Sequence, residues 1–213
     1  MAHTSDGAGS HPEAGHDTDA AAPAITRRVP FGIMLVVTGI TGWIAAGILI
    51  LEKLQLLKDP AHVISCDINP WVSCGRVMET WQSEVFGFPN PFIGLVGFTI
   101  IITTGMALLA GARFDRWYWV GLQAGVALGA VFAIWLWSQA LFDIYILCLY
   151  CMIVWAAMIP LVILTTVRNL VHGVIPAPRA LTRVLGEWVG PIIVVAYLAV
   201  AASVFFRFLH VFI

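Results

Sequence analysis

The four cysteines of the chain have a spacing that could support redox chemistry. Cys148 and Cys151 form a Cys-x-x-Cys pair, and Cys66 and Cys74 form an earlier pair separated by seven residues. Thiols three residues apart on a helix share one face and are close enough to bridge. At a helix N-terminus a thiolate is stabilised, which makes the sulfur a better nucleophile. Two pairs can pass electrons through a mixed disulfide, whereas the structural alternative is static bridges or ordinary apolar cysteines.

The cysteine spacing does not favour a metal centre. Zinc sites are built from closely spaced Cys or His pairs that complete a set of four ligands. Seven residues separate Cys66 from Cys74, and no second Cys/His pair completes such a set. We therefore predict no metal site.

The composition requires a membrane environment. Hydrophobic residues make up 60% of the 213 residues, charged residues only 11%, and the mean hydropathy is +0.91. Soluble domains are about 45–50% apolar and about 25% charged. The composition excludes a soluble globular enzyme and a disordered protein. The net charge of −1 gives no basic surface for nucleic acid.

Five stretches without Asp, Glu, Lys or Arg are long enough to cross a bilayer, which takes about 20 apolar residues. None alternates in polarity as barrel strands do. We predict an all-α integral membrane protein with five transmembrane helices. The predicted spans are residues 31–51, 91–112, 117–142, 144–167 and 188–206.

The distribution of Lys and Arg predicts the orientation. If the N-terminus is cytoplasmic, seven of these residues lie inside and four outside, which agrees with the positive-inside rule. Both cysteine pairs then fall on the extracytoplasmic side of the inner (plasma) membrane, where disulfides persist. A cleaved signal peptide is the alternative for the first span, but its 21 apolar residues exceed a normal signal-peptide core.

The chain divides into three parts by composition. Residues 1–26 have no apolar periodicity and are predicted to be a disordered cytoplasmic tail. Residues 27–168 hold the four cysteines and four spans, and residues 169–213 are a cytoplasmic connector and the fifth span. Residues 75–86 are predicted to form a short amphipathic helix at the membrane interface.

Three segments closely resemble the bacterial form of the vitamin K epoxide reductase (VKOR) family. They are Cys-Asp-Ile-Asn-Pro-Trp-Val-Ser-Cys-Gly-Arg-Val-Met (66–78), Ser-Glu-Val-Phe-Gly-Phe-Pro-Asn-Pro-Phe-Ile-Gly (83–94) and Cys-Leu-Tyr-Cys (148–151). The resemblance runs from about Phe31 to Arg168. It implies a four-helix bundle around a quinone, with a short half-helix after the first-loop cysteines and a fifth, peripheral helix.

The resemblance also implies roles for individual residues. Cys148 and Cys151 correspond to the active-site disulfide beside the quinone, and Cys66 and Cys74 to the shuttle pair. Three further positions correspond to quinone-site residues of the family: Asn90, Thr80 and Trp155. The family's Asn hydrogen-bonds a quinone carbonyl. The Trp is a departure, because the vertebrate enzyme has a quinone-contacting Tyr there. Ordinary packing is the alternative for the Thr and the Trp.

The implied activity is that of a membrane thiol oxidase that reduces a quinone of the menaquinone, ubiquinone or phylloquinone type. Many bacterial relatives carry a fused thioredoxin-like domain, which this sequence lacks. We therefore expect the partner to be a separate DsbA-like thioredoxin-fold protein, secreted or membrane-anchored.

Three alternatives remain at this point. A DsbB-type oxidase does the same chemistry, but there the Cys-x-x-Cys pair precedes the loop pair, the reverse of the order here. Reduction of vitamin K epoxide as the main activity is the second. The third is a non-enzymatic membrane scaffold with two static disulfides.

Overall fold

The computed structural model describes residues 23–59 and 61–209, and these are mostly α-helical. Five helices are long and apolar enough to cross a membrane, which confirms the predicted all-α membrane fold. A short helix follows the loop cysteines. In chain order the helices are α1 (Arg28–Lys58), α2 (Cys74–Met78), α3 (Pro91–Leu109), α4 (Arg116–Gln139), α5 (Leu149–Val171) and α6 (Arg179–Arg207).

The helix α1 is longer than its predicted span. Its 31 residues correspond to about 46 Å at 1.5 Å per residue, whereas the hydrocarbon core of a bilayer is about 30 Å thick. The extra turns at its C-terminal end carry Glu52 and Lys53 beyond the apolar run. They bring these charged side chains to the level of the cysteine loop.

The bundle is organised around α1 and α5. Helix α1 packs against α3 and α5, and α5 also packs against α4 and α6. Glycines allow α1 and α3 to approach closely: a Cβ at Gly42 would overlap the Phe98 ring, and one at Gly105 would lie 2.9 Å from the Gly32 carbonyl oxygen. Such small-residue contacts are typical of membrane helix pairs. Helices α3 and α4 meet where Thr104 Oγ1 and the Tyr118 hydroxyl are 2.5 Å apart.

The predicted amphipathic helix over residues 75–86 is divided in two. Helix α2 ends at Met78, and a 3-10 turn covers Trp81–Glu84. Between them Thr80 has extended backbone angles, and its hydroxyl donates to the Val77 carbonyl at 2.7 Å. Side-chain bonds of this kind compete with helix continuation.

The ends of the chain also differ from the sequence prediction. Residues 1–22 of the predicted tail lie outside the described residues. Its last residues, Ala24–Thr26, form a 3-10 turn in which Thr26 is buried. Helix α6 begins at Arg179, within the predicted connector, because charged residues can extend a helix beyond the lipid.

The segment between α4 and α5 leads into the Cys-x-x-Cys pair. A five-residue π-helix, Ala140–Ile144, follows α4. Tyr145 then adopts a left-handed conformation, and the chain runs extended to Cys148. This reversal determines where Cys148 lies relative to the earlier loop.

Candidate functional site

The two cysteine pairs differ in whether their sulfurs are bonded. Cys66 and Cys74 are bonded, with their Cα atoms 5.7 Å apart, whereas Cys148 and Cys151 are free thiols. The resemblance implies a disulfide between the latter two.

The start of α2 holds Cys74 in place through side-chain hydrogen bonds. Ser73 is the N-cap residue, and its hydroxyl oxygen accepts from the Arg76 amide at 3.2 Å. Asp67 Oδ1 accepts from the Ser73 hydroxyl at 2.8 Å and from the Gly75 amide at 3.0 Å. One carboxylate thus ties both neighbours of Cys74 to the residue that follows Cys66.

A short parallel pairing joins the loop to the segment before α5. The Leu147 amide donates to the Trp71 carbonyl at 2.8 Å, and the Ser73 amide donates to the Leu147 carbonyl at 3.0 Å. Because the two segments run parallel, the residues that follow lie side by side. From the Val72–Leu147 pair the chain continues to Ser73 and Cys74 on one side and to Cys148 on the other, and the Sγ atoms of Cys74 and Cys148 are 3.4 Å apart. The prediction that both pairs lie at one end of the bundle agrees with this contact.

Cys148 occupies the N-cap position of α5, where its sulfur accepts from the Cys151 amide at 3.3 Å. The free amides of a first helical turn stabilise negative charge. A thiolate at Cys148 is therefore stabilised as nucleophile or leaving group. The predicted placement of the Cys-x-x-Cys pair at a helix start agrees with this geometry.

The loop disulfide is shielded from solvent. Cys66 is 1% exposed and Cys74 is 0% exposed. Ile64 packs against the pair in one buried cluster, and its segment, residues 61–65, is held by Glu52, whose carboxylate accepts from His62 Nε2 at 3.1 Å and from the Ser65 amide at 3.3 Å. The Ser65 and Tyr150 hydroxyls are 3.2 Å apart, which links this segment to the Cys-x-x-Cys turn. We call residues 61–65 the cover segment.

Asn90 is buried at the start of α3, next to a polar network. Its Nδ2 donates to the Gln82 carbonyl at 2.6 Å, and its Oδ1 is buried without a hydrogen-bond partner. The Gln82 side chain in turn donates to Asp143 Oδ2 at 2.5 Å and to Gln139 Oε1 at 3.4 Å. The network therefore connects α3 to the end of α4 and the π-helix.

Thr80 and Trp155 lie in different surroundings. Thr80 lines an open surface cavity of about 560 Å³. Trp155 is 8% exposed and packs in an apolar cluster with Leu141 and Leu147. The structure thus connects Thr80 to the Gln82 network, and Trp155 to the segment before Cys148. The other cavity residues are Arg76, Glu79, Trp81, Gln82, Asp143, Ile144 and Ile146.

Three buried side-chain atoms have no hydrogen-bond partner among the described residues, Asn90 Oδ1, Trp137 Nε1 and Thr165 Oγ1, and the chemistry of the first two fits a quinone. The unpartnered Asn90 Oδ1 could accept from a quinol hydroxyl, and the buried Trp137 Nε1, also unpartnered, could donate to a carbonyl. Trp137 packs on the same cluster as Trp155. Buried polar atoms of native proteins normally have partners, so an unpaired donor and acceptor are compatible with a ligand that carries both functions.

The sequence analysis missed several residues that shape this site. Asp67 and Leu147 place the sulfur atoms of Cys74 and Cys148, and Gln82 holds Asn90. A Ser directly before Cys74 is a recognisable N-cap signal, which could have indicated the start of α2. The pairing with Leu147 joins segments more than 70 residues apart, and no local signal encodes it.

The comparisons with known proteins agree with the resemblance seen in the sequence. Residues 33–166, more than half of the chain, match the vitamin K epoxide reductase family. The search of the curated proteins gave no match. The matched region contains all four cysteines and the bundle that brings them together. The chain therefore belongs to the vitamin K epoxide reductase family and is a multi-pass membrane oxidoreductase.

Proposed function

We propose that the protein is a quinone-linked thiol oxidase, which takes electrons from a DsbA-like thioredoxin-fold partner and so generates disulfides. The observation that carries the proposal is the 3.4 Å separation of Cys74 Sγ and Cys148 Sγ. Two static disulfides in a scaffold would not require a sulfur of one pair to contact a sulfur of the other. Thiol–disulfide exchange requires it, because a thiolate attacks a disulfide sulfur directly.

The first step is oxidation of the partner by the loop disulfide. A partner thiolate attacks the Cys66–Cys74 bond, and a second partner thiolate resolves the mixed disulfide. The partner leaves oxidised and the loop pair becomes a dithiol. Because Cys74 lies against Cys148, Cys66 is the sulfur left for the partner. Its burial requires the cover segment to move first.

The second step transfers the electrons between the pairs. The Cys74 thiolate attacks Cys148 of the Cys148–Cys151 disulfide and expels the Cys151 thiolate. Cys66 then attacks Cys74, which restores the loop disulfide and releases Cys148. The products are an oxidised loop pair and a reduced Cys-x-x-Cys pair.

The acceptor for the final two electrons is a quinone. When bound, it takes up two electrons and two protons, and Cys148 and Cys151 return to the disulfide. Asn90 Oδ1 and Trp137 Nε1 would hold it beside Trp155, and Thr80 lines the cavity that Gln82 shares. The N-cap amide bond to Cys148 stabilises the thiolate on the protein side.

We also propose that the cysteine end of the bundle faces outward from the plasma membrane. Arginines mark the opposite end, where Arg28 Nη1 donates to the Gly111 carbonyl and Arg116 Nε donates to the Val174 carbonyl. Positive residues remain on the cytoplasmic side of membrane proteins. A membrane-impermeant maleimide added to intact cells should therefore label a cysteine introduced by Glu79→Cys, an exposed position at this end, and labelling only after the membrane is opened would contradict this orientation.

The activity is tested with the purified protein in lipid nanodiscs, a reduced DsbA-like protein and a short-chain ubiquinone or menaquinone. We expect quinol to form in proportion to partner oxidised. Cys148→Ser and Cys151→Ser should each abolish it, while Thr103→Ala, a change on the exposed face of α3, should not. Undiminished quinol formation in both cysteine variants would refute the proposed function.

A further inference from the structure

Tyr145 has a backbone conformation that is unusual for its residue type. Its φ of 58° and ψ of 26° are left-handed, and among the described residues it is the only non-glycine with positive φ. Side chains with a Cβ are disfavoured there, so surrounding contacts must hold the conformation. The residue lies three positions before Cys148, where the chain turns from the π-helix into the paired segment.

Arg207, the last residue of α6, contacts both sides of this turn. Its Nε donates to the Leu141 carbonyl in the π-helix at 2.8 Å. Its guanidinium lies over the Tyr145 ring, 4.3 Å from the centroid. One planar cation thus binds the carbonyl before the turn and the aromatic ring at the turn.

Phe208 extends the contact to the other paired segment. It is 5% exposed and packs in the cluster that holds Leu141, Leu147 and Trp155. Its ring meets the Trp71 ring edge-on at a centroid distance of 6.5 Å. Trp71 supplies the carbonyl that accepts from Leu147, so the end of α6 touches both partners of the pairing that aligns Cys74 with Cys148.

The rest of α6 is much less enclosed. Val189 is its one buried residue among those described, and the helix packs mainly along α5. The helix also lies outside residues 33–166, the region that matches the family. The end of α6 that carries Arg207 and Phe208 is the part of the helix that lies at the redox site.

We propose that the end of α6 positions the segment before Cys148 for exchange, with Arg207 as the main positioning residue. The fifth helix is then a functional part of the redox site and not only a peripheral span. This rests on the exchange between the two pairs proposed above. Arg207 acts by holding Tyr145 in its left-handed turn, and so keeps Cys148 in line with Cys74.

The test measures the encounter of the two sulfurs without quinone or partner. In a Cys66→Ser, Cys151→Ser background, Cys74 and Cys148 are the remaining thiols. Diamide, which accepts the two electrons and two protons released, then forms the Cys74–Cys148 bond, and loss of maleimide labelling gives its rate. We expect Arg207→Ala to slow the reaction roughly tenfold, because small displacements strongly reduce reaction between positioned groups.

Matched variants separate positioning from folding. Arg183→Ala, an exposed change near the other end of α6, should leave the rate unchanged. Arg207→Lys, which keeps a cation and a donor, should retain most of the rate. Tyr145→Gly should restore the Arg207→Ala variant to within about threefold of the parent, because glycine adopts the left-handed conformation freely. If Arg207→Ala acted only by lowering the overall stability of the protein, we would not expect Tyr145→Gly to restore the rate of bond formation.

Two results would overturn the proposal. One is an Arg207→Ala variant that forms the Cys74–Cys148 bond at the parental rate. The other is a slowed variant that Tyr145→Gly does not restore. Rapid bond formation in a protein that reduces no quinone would overturn the proposed function instead, and would leave the positioning role of α6 supported.

Discussion

Removal of the Glu52 carboxylate should expose the loop disulfide. In the structure this carboxylate accepts from His62 and from the Ser65 amide, and its side chain is 11% exposed. Hydrogen bonds to a charged group contribute about 1.5–3 kcal/mol each when buried. The His62 side chain is 32% exposed, so its contribution is smaller. We take about 2 kcal/mol for the two bonds together, since solvent partly replaces them.

That free energy converts into a rate of access to the disulfide. At 1.4 kcal/mol per factor of ten, Glu52→Ala should raise the population with an open cover segment about thirtyfold. If reduction occurs only from the open form, the rate follows this population. The assay uses a Cys148→Ser, Cys151→Ser background, in which Cys66–Cys74 is the remaining disulfide. Its reduction by dithiothreitol in nanodiscs is followed by alkylation of the new thiols.

A matched control is available at the same end of the bundle. Glu79→Ala also removes one carboxylate, but Glu79 is exposed and lies outside the cover segment. It should leave the rate of reduction close to that of the parent. Reduction of Cys66–Cys74 at equal rates in Glu52→Ala and Glu79→Ala would refute the conclusion that Glu52 holds the cover closed.

Two further substitutions test the bundle and the quinone site. Gly42→Val should lower the free energy of unfolding by about 1–3 kcal/mol, because the valine side chain would overlap the Phe98 ring. Gly121→Ala should be tolerated, because nothing lies near the added Cβ. Thermal unfolding in detergent measures both variants. Asn90→Ala should lower kcat/KM for quinone by the equivalent of about 1–3 kcal/mol, through loss of a buried hydrogen bond. A quinone titration checks this, and an unchanged kcat/KM would remove Asn90 from the site.

Much of the fold could be predicted because the lipid imposes simple rules. Uncharged runs of sufficient length identified all five membrane helices. Their ends were less predictable, since α6 begins at Arg179 and α1 continues to Lys58. Outside the hydrocarbon core a charged residue can lie within a helix or in a loop, so composition does not predict where a helix ends there.

The local geometry of the site was only partly readable from the sequence. The apolar run from Ile144 placed the Cys-x-x-Cys pair near a helix start, and the structure begins α5 at Leu149 with Cys148 as its N-cap. The division of the half-helix at Thr80 depends on a side-chain hydrogen bond that competes with a favourable amphipathic pattern. Hydrophobic periodicity does not show where a side-chain hydrogen bond will interrupt a helix.

Long-range contacts account for the rest. The alignment of Cys74 with Cys148 depends on Leu147 and on the left-handed turn at Tyr145. Glycine or asparagine would have marked such a turn, but tyrosine does not. The contact of Arg207 with that turn joins residues 62 positions apart, and its effect appears only once the chain is folded.

The most direct test of the account is to trap the exchange between the pairs in the Cys66→Ser variant once quinone has oxidised Cys148 and Cys151 to the disulfide. Cys74 can then attack Cys148, but the serine cannot resolve the product. Mass spectrometry of alkylated, digested protein should find the peptides of Cys74 and Cys148 joined by a disulfide, in an amount that grows with time after quinone is added. Free Cys74 beside an intact Cys148–Cys151 bond would show that the two pairs do not exchange electrons directly, and would contradict the proposed relay.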